Sequence, residues 1–191
     1  MKKLILLTTL LLLAFQSLPP VVVVSGQSNA LQSYPYISLA GYDIINCAVG
    51  GTSVTKWQRG QVPYENCLDL VAGRDIAGIL HFQGERDSRN ANVYLQWTDL
   101  TLQFFNHFRE DTNSQGVRIV YARLGLLPTD VNRPYWNKIK NQQNKLPDFD
   151  STLYMINTSD INPYCPIEGP HWCPEGYQAI ADRFEYRFLL P

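Results

Sequence analysis

Four consecutive valines at positions 21–24 end in a short polar turn that closes with Ser28. A short apolar run of β-branched residues, bounded by glycine and polar residues, is typical of a strand that is buried on both faces. Such strands belong to parallel sheets, which helices cover on both sides. Open sheets of this kind bind their ligands beyond the carboxyl ends of the strands. The run therefore predicts that the hydroxyl of Ser28 lies at the edge of the sheet where chemistry takes place.

Further apolar runs predict four more strands, and helical patterns alternate with them. The predicted strands after the first cover residues 43–47, 76–82, 117–124 and 152–157. Apolar residues from Val93 to Phe108 recur at spacings of three and four, which predicts an amphipathic helix. A second helix is predicted to start around residue 132, with Pro134 in its first turn, and a third starts at Pro174. This alternation predicts an α/β sandwich with a parallel sheet and helices on both faces.

The first residues of the chain differ in character from the rest. Lys2 and Lys3 precede a nearly continuous apolar stretch over residues 4–15, and small and polar residues follow it. This combination is typical of a secretory signal peptide. We therefore expect a signal peptide over residues 1–17 and one domain over residues 18–191. A retained membrane anchor is the alternative interpretation, although the apolar segment is short for a membrane span.

The composition narrows the choice of partner. Hydrophobic residues make up 45% of the 191 residues and charged residues only 17%, which is enough apolar material for one domain with its own core. The formal net charge is -1, and no cluster of basic residues follows Lys2 and Lys3. Nucleic acids and anionic membrane surfaces bind basic patches. We therefore expect neither as a partner, and expect a small or neutral molecule instead.

The chain contains four cysteines, Cys47, Cys67, Cys165 and Cys173. Secreted proteins commonly keep their cysteines as disulfides, so we expect two bridges. The spacing favours Cys47 with Cys67 and Cys165 with Cys173 among the three possible pairings, which the sequence alone does not decide. Zinc binding is the competing interpretation, but no Cys-x-x-Cys pair or histidine spacing supports it.

Polar residues near the ends of the predicted strands could form a serine-hydrolase site. Such a site needs a serine hydroxyl, an imidazole that takes its proton, a carboxylate that orients the imidazole, and fixed donors for the oxyanion. The candidates are Ser28 after the first strand, Gly50-Gly51-Thr52-Ser53 after the second, Gln83-Gly84-Glu85-Arg86-Asp87 after the third, and His171 before the last helix. We expect these four loops to meet at one edge of the sheet.

Four segments resemble the signature blocks of SGNH hydrolases, in the order in which those enzymes carry them. The segments are Gly26-Gln27-Ser28-Asn29, Ala48-Val49-Gly50-Gly51-Thr52-Ser53, Gln83-Gly84-Glu85-Arg86-Asp87 and Glu168-Gly169-Pro170-His171. They look most like the branch that contains sialate O-acetylesterases and carbohydrate acetyl esterases such as acetylxylan esterases. The resemblance implies a flavodoxin-like three-layer α/β/α sandwich with a central five-stranded parallel sheet. It also implies ester hydrolysis through an acyl-enzyme, without a metal or cofactor.

Carried over by position, the resemblance implies that Ser28 is the nucleophile and His171 the general base. The family typically has an aspartate three residues before the histidine, where this chain has Glu168. A glutamate can also orient an imidazole, so we expect Glu168 to be the acid of the triad. Asp160 and Glu175 are the alternatives if the loop follows a different path.

The oxyanion hole is expected to use backbone amides and one side-chain amide. The backbone donors would be Ser28 and one of the adjacent glycines at 50 and 51, of which we choose Gly50. Wider SGNH enzymes supply an asparagine side chain from the third block, and here Gln83 is the expected donor. An ionised carboxylate cannot donate a hydrogen bond, so we expect Glu85 and Asp87 to hold the loop in shape.

Together these residues predict a secreted serine esterase that removes acetyl or other small acyl groups from a carbohydrate. The alternative is a carbohydrate-binding relative that kept the scaffold and lost activity through the change at Glu168. The sugar, the acyl position and the oligomeric state do not follow from the sequence.

Overall fold

A five-stranded parallel sheet lies at the centre of the protein, whose computed structural model describes residues 18–127, 131–161 and 170–190. The strands are β1 (Val21–Gly26), β2 (Asp43–Asn46), β3 (Ile76–Phe82), β4 (Arg118–Ala122) and β5 (Leu153–Ile156). Their order across the sheet is β2-β1-β3-β4-β5. The predicted parallel sheet is confirmed, and β3 has the predicted bounds.

Helices cover both faces of this sheet. They are α1 (Ser28–Ser33), α2 (Val62–Val71), α3 (Ala91–Leu95), α4 (Trp97–Asp111), α5 (Trp136–Gln143), α6 (Leu146–Phe149) and α7 (Pro174–Leu189). Consecutive strand residues point to opposite faces. The ring of His81 on β3 lies against two phenylalanines of α4. The next ring, Phe82, lies against Trp172, just before α7. The predicted three-layer α/β/α sandwich is therefore confirmed.

The first strand, β1, is an inner strand of the sheet and lies between β2 and β3. The four valines that begin it are at most 1% exposed, as expected for a strand that is buried on both faces. At the other end of β1, Gly26 pairs with Phe82, the last residue of β3. Both strands therefore end at the same level, at the carboxyl edge of the sheet.

Two of the predicted helices differ in the structure. The pattern over residues 93–108 predicts one helix, but the chain forms α3 and α4, which are separated at Gln96 where the backbone (φ -108°, ψ 5°) leaves the helical region. The helix α5 begins two residues after Pro134, which therefore precedes the helix instead of lying in its first turn. The amide of Tyr135 donates to the carbonyl of Ser88 at 3.0 Å, so this part of the chain is held by the loop after β3. The third predicted helix does begin at Pro174.

A disulfide joins Cys47 to Cys67, as predicted. It ties the segment that leaves β2 to the helix α2. Cys173 is also disulfide-bonded, and its predicted partner Cys165 lies outside the described residues, as does the predicted signal peptide over residues 1–17. Within the described part of the chain, no helix is both long enough and apolar enough to span a bilayer.

Gly26 has a backbone conformation (φ +117°) that residues with a side chain rarely adopt. A Cβ atom at this position would lie 2.1 Å from the carbonyl oxygen of Phe82. We expect Gly26→Ala to lower the free energy of unfolding by at least about 3 kcal/mol, because backbone strain and a clash with backbone act together. Urea denaturation followed by circular dichroism measures this loss.

Gly41→Ala is the matched control. Gly41 also has a positive φ (+86°), but a Cβ atom there would meet nothing within 4 Å. Only the conformational strain remains, so the expected loss is about 1–2 kcal/mol. Equal losses in the two variants would contradict the importance of the close contact between Gly26 and Phe82.

Candidate active site

The end of β1 presents the hydroxyl of Ser28 at the carboxyl edge of the sheet. The amide of Gln27 donates to the carbonyl of Phe82 at 3.0 Å, and α1 begins at the next residue. Gln27 and Asn29 are buried, whereas Ser28 between them is half-buried. The turn therefore leaves the serine accessible while its neighbours are held inside the protein.

His171 lies beside Ser28. Its Nε2 atom is 2.9 Å from the Oγ atom of Ser28, although the two residues are 143 positions apart in the chain. This is a hydrogen-bond distance at which an imidazole can accept the proton of a serine hydroxyl. The structure thus brings together the residues predicted as nucleophile and base.

Glu168, the predicted acid of the triad, lies outside the described residues. The two alternatives can be placed. Asp160 accepts two hydrogen bonds from Arg183, at 2.7 and 2.9 Å, and this guanidinium lowers the pKa of the Asp160 carboxyl. Glu175 is exposed in the first turn of α7.

Asn29 connects the loop after β3, the residue before His171 and the helix α7. Its Nδ2 atom donates to Oε1 of Glu85 at 2.5 Å and to the carbonyl of Pro170 at 3.1 Å. Its Oδ1 atom accepts a hydrogen bond from the hydroxyl of Tyr177 at 3.0 Å. Because Pro170 directly precedes His171, these bonds fix the backbone of the histidine relative to the serine. No role was predicted for Asn29 from the sequence, although its place next to the serine was a usable signal.

Glu85 is buried in full, with 0% of its surface exposed. Burial raises the pKa of its carboxyl to about 7, although the hydrogen bond from Asn29 opposes this shift. Its second oxygen, Oε2, has no hydrogen-bond partner among the described residues. The guanidinium of Arg133 donates to the Glu85 backbone carbonyl at 2.6 Å, which holds the loop after β3 in place.

Gln83 and Asp87 join the loops after β2 and β3. The Nε2 atom of Gln83 lies 2.9 Å from both the Thr52 carbonyl oxygen and Oδ2 of Asp87. Asp87 also accepts hydrogen bonds from the Val54 amide at 3.1 Å and from the Trp97 indole at 3.2 Å. The side chain of Gln83 is only 1% exposed. Both N–H groups of this amide therefore have protein acceptors, and this bridging role was not predicted from the sequence.

Gly50 lies in the loop that follows β2, next to the turn of Ser28. The preceding amide, of Val49, donates to the carbonyl of Gly26 at 2.9 Å, which draws the two turns together. Gly50 is exposed, and a Cβ atom built on it would meet nothing within 4 Å. The loop therefore leaves open space beside its backbone.

His81 belongs to a separate buried pair. Its Nδ1 atom is 2.9 Å from the hydroxyl of Ser25, and the residue is 2% exposed. Burial lowers the pKa of His81 to about 3, so the imidazole is neutral at physiological pH. It packs in the core and is not part of the accessible edge.

Several solved structures share this fold. An Arabidopsis thaliana protein matches with a TM-score of 0.74 and 14% identity, over 90% of this chain and 98% of that one. A carbohydrate acetylesterase from Xanthomonas citri matches with a TM-score of 0.64 and 11% identity, over 87% of this chain and 55% of that one. A GDSL-like lipase from Bacteroides thetaiotaomicron has a TM-score of 0.62 and 13% identity, over 89% and 87%. The shared architecture is that of the GDSL, or SGNH, hydrolases.

Sequence comparison gives the family. The chain is 24% identical over 102 residues to an Arabidopsis thaliana protein that is named a probable carbohydrate esterase, over 51% of this chain and 39% of that protein. The chain thus matches well under half the length of this relative. The family model described as "Carbohydrate esterase, sialic acid-specific acetylesterase" matches residues 36–184, a stretch that begins after Ser28 and contains His171. This chain therefore belongs to the carbohydrate esterase family of sialic acid-specific acetylesterases.

Proposed function

We propose that this protein hydrolyses O-acetyl esters on carbohydrates, with Ser28 as the nucleophile. The observation that carries the proposal is the 2.9 Å distance between Oγ of Ser28 and Nε2 of His171 at the accessible edge of the sheet. Membership of a carbohydrate esterase family supports the substrate class. The acetylesterase from Xanthomonas citri, which shares the fold, is consistent with it.

The reaction proceeds in two steps. Nε2 of His171 takes the hydroxyl proton as Oγ of Ser28 attacks the carbonyl carbon of the acetyl group. The tetrahedral intermediate collapses, the bond to the sugar oxygen breaks, and the imidazolium returns the proton to that oxygen. Water, activated by the same imidazole, then attacks the acetyl-serine and releases acetate and the free serine.

The oxyanion of each intermediate binds to the amides of Ser28 and Gly50 and to Gln83. Support for Ser28 comes from its position as the first residue of α1, where helix amides have no acceptor within the helix. Support for Gly50 comes from the open space beside it. The amide of Gln83 must exchange its bond to Thr52 or to Asp87 when it donates to the oxyanion, because it has only two N–H groups.

Glu168 orients the imidazole of His171 and stabilises its protonated form. We further propose that the protein acts outside the cytoplasm. The disulfide between Cys47 and Cys67 supports this location, because disulfides persist in oxidising compartments.

Ser28→Ala should lower kcat/KM for p-nitrophenyl acetate and for acetylated xylose by at least about a thousandfold, because the nucleophile is lost. Release of p-nitrophenol and of acetate measures the two rates. Ser25→Ala is the control, since its hydroxyl faces the core next to His81 and is expected to affect stability only. No hydrolysis by the wild type, combined with binding of acetylated sugars, would instead favour the carbohydrate-binding alternative.

Glu168→Ala should lower kcat by about a thousandfold while the protein stays folded, because the imidazole loses its orienting carboxylate. Glu168→Asp should retain much of the activity. The control is Glu175→Ala, which removes a nearby exposed carboxylate from α7. If Glu175→Ala were the impaired variant and Glu168→Ala the active one, Glu175 would be the acid of the triad instead of Glu168.

The pKa of Glu85 predicts a pH dependence of stability. Its value in the folded protein, about 7, lies above its ordinary value of 4.5, so the folded state binds this proton more tightly than the unfolded state between those pH values. The Glu85 proton therefore contributes fully to the free energy of unfolding below pH 4.5. This contribution decreases as the pH rises towards 7. Urea denaturation at several pH values measures this loss in the wild type.

Glu85→Gln removes the titrating proton and keeps an acceptor for Asn29, so this part of the pH dependence should disappear. The stability of Glu85→Gln relative to the wild type should increase as the pH rises from 4.5 to 7. Glu175→Gln, at an exposed carboxyl, should follow the wild type. Parallel curves for all three proteins would contradict the raised pKa.

A further inference from the structure

A pocket of about 370 Å³ opens between α1, the short 3₁₀ helix Tyr34–Tyr36 and the start of α7. The residues that line it include Leu31, Gln32, Tyr36, Trp172 and Pro174. This volume is within the range of small-molecule binding sites. No role in the reaction described above uses these side chains.

The pocket adjoins the Ser28 and His171 pair on two sides. Leu31 and Gln32 follow Ser28 by three and four residues, which places them on the same face of α1 one turn further along. Side chains on a helix lean towards its N-terminus, which here means towards Ser28. On the other side, Trp172 directly follows His171. The pocket is therefore lined by residues that follow both Ser28 and His171 closely in the chain.

The inner wall of the pocket is rigid. The indole of Trp172 is 3% exposed, and its centroid lies 5.7 Å from that of the Phe82 ring. Two glycines pack closely against the indole, since Cβ atoms on Gly125 and Gly176 would each lie 2.8 Å from one of its atoms. The indole forms the floor of the pocket, and the more exposed residues supply most of the accessible surface.

We propose that this pocket binds the sugar ring that carries the acetyl ester, and that the ring it accepts is neutral. The inference rests on the proposed esterase function. The C–H faces of a pyranose pack on Tyr36 and Pro174, and its hydroxyls form hydrogen bonds with the amide of Gln32. None of the described residues that line the pocket is charged, so it offers no partner for the carboxylate of an acidic sugar.

The size of the pocket indicates that the sugar occupies it and the acyl group does not. An acetyl group has only two carbons, so it does not need a pocket of this volume. A single sugar ring, with apolar faces and several hydroxyls, matches both the volume and the mixture of apolar and polar lining side chains. The acetyl group then lies outside the pocket, towards Gly50.

The test compares two substrates in the full-length protein, xylose tetraacetate and p-nitrophenyl acetate, which lacks a sugar. Gln32→Ala and Tyr36→Ala should each lower the ratio of kcat/KM for the sugar ester to that for p-nitrophenyl acetate about fivefold, mainly through KM. Gln32→Trp, an exposed position, should fill the pocket and lower the ratio further. Tyr186→Ala is the matched control, because Tyr186 is 69% exposed on α7 and does not line this pocket.

The outcomes distinguish the two proposals. If wild type shows no hydrolysis of either ester that depends on Ser28, the proposed function fails. If wild type hydrolyses both esters and the pocket variants leave the ratio unchanged, only the assignment of the pocket is overturned. If the pocket variants changed the ratio of kcat/KM for p-nitrophenyl acetate to that for p-nitrophenyl butyrate, the pocket would be assigned to the acyl chain instead. A higher kcat/KM for O-acetylated sialic acid than for the xylose ester would contradict a neutral ring.

Discussion

The close approach of Gly26 to the carbonyl of Phe82 is the constraint on which the rest of the structure depends. Only a residue without a side chain fits there, and the next amide, of Gln27, bonds to the same carbonyl. The strands β1 and β3 consequently end at one level. From that level the side chain of Asn29 reaches the loop after β3, and it also reaches the residue before His171. A local backbone feature thus sets the distance between two residues far apart in the chain.

Buried polar side chains hold the loops together at the carboxyl edge of the sheet. Gln27, Asn29, Gln83, Glu85 and Asp87 are each at most 3% exposed. Burial of a polar group is costly unless it is hydrogen-bonded, and here most of the cost is offset by bonds among these side chains and to nearby backbone. The exceptions are Oε2 of Glu85 and Oε1 of Gln83, which have no hydrogen-bond partner among the described residues. Burial accordingly raises the pKa of the Glu85 carboxyl, and it also raises that of Asp87. Such a network favours one arrangement of the loops, which is what a preorganised site requires.

The sequence contains enough information for the sheet and for the candidate pair at its edge. Runs of β-branched residues mark strands because burial on both faces demands them, and the serine and histidine blocks have recognisable neighbours. The break at Gln96 and the bridging bonds of Gln83 were not predictable, because contacts between distant segments decide them. The helix α2 could have been found, since Pro63 and Glu65 are both typical of a helix start. The place of Asn29 beside the serine was a signal of importance, but its three partners lie on segments that only the fold brings near.

The contact between Ser28 and His171 has a consequence for the newly made chain. Ser28 begins α1 and His171 lies shortly before α7, so the ribosome adds them 143 residues apart. At about 5–20 residues per second, roughly 7–30 s pass between the two additions. During that interval the hydrogen bond between Ser28 and His171 cannot form. The order of synthesis therefore delays the completion of this pair until the segment that carries His171 has been added.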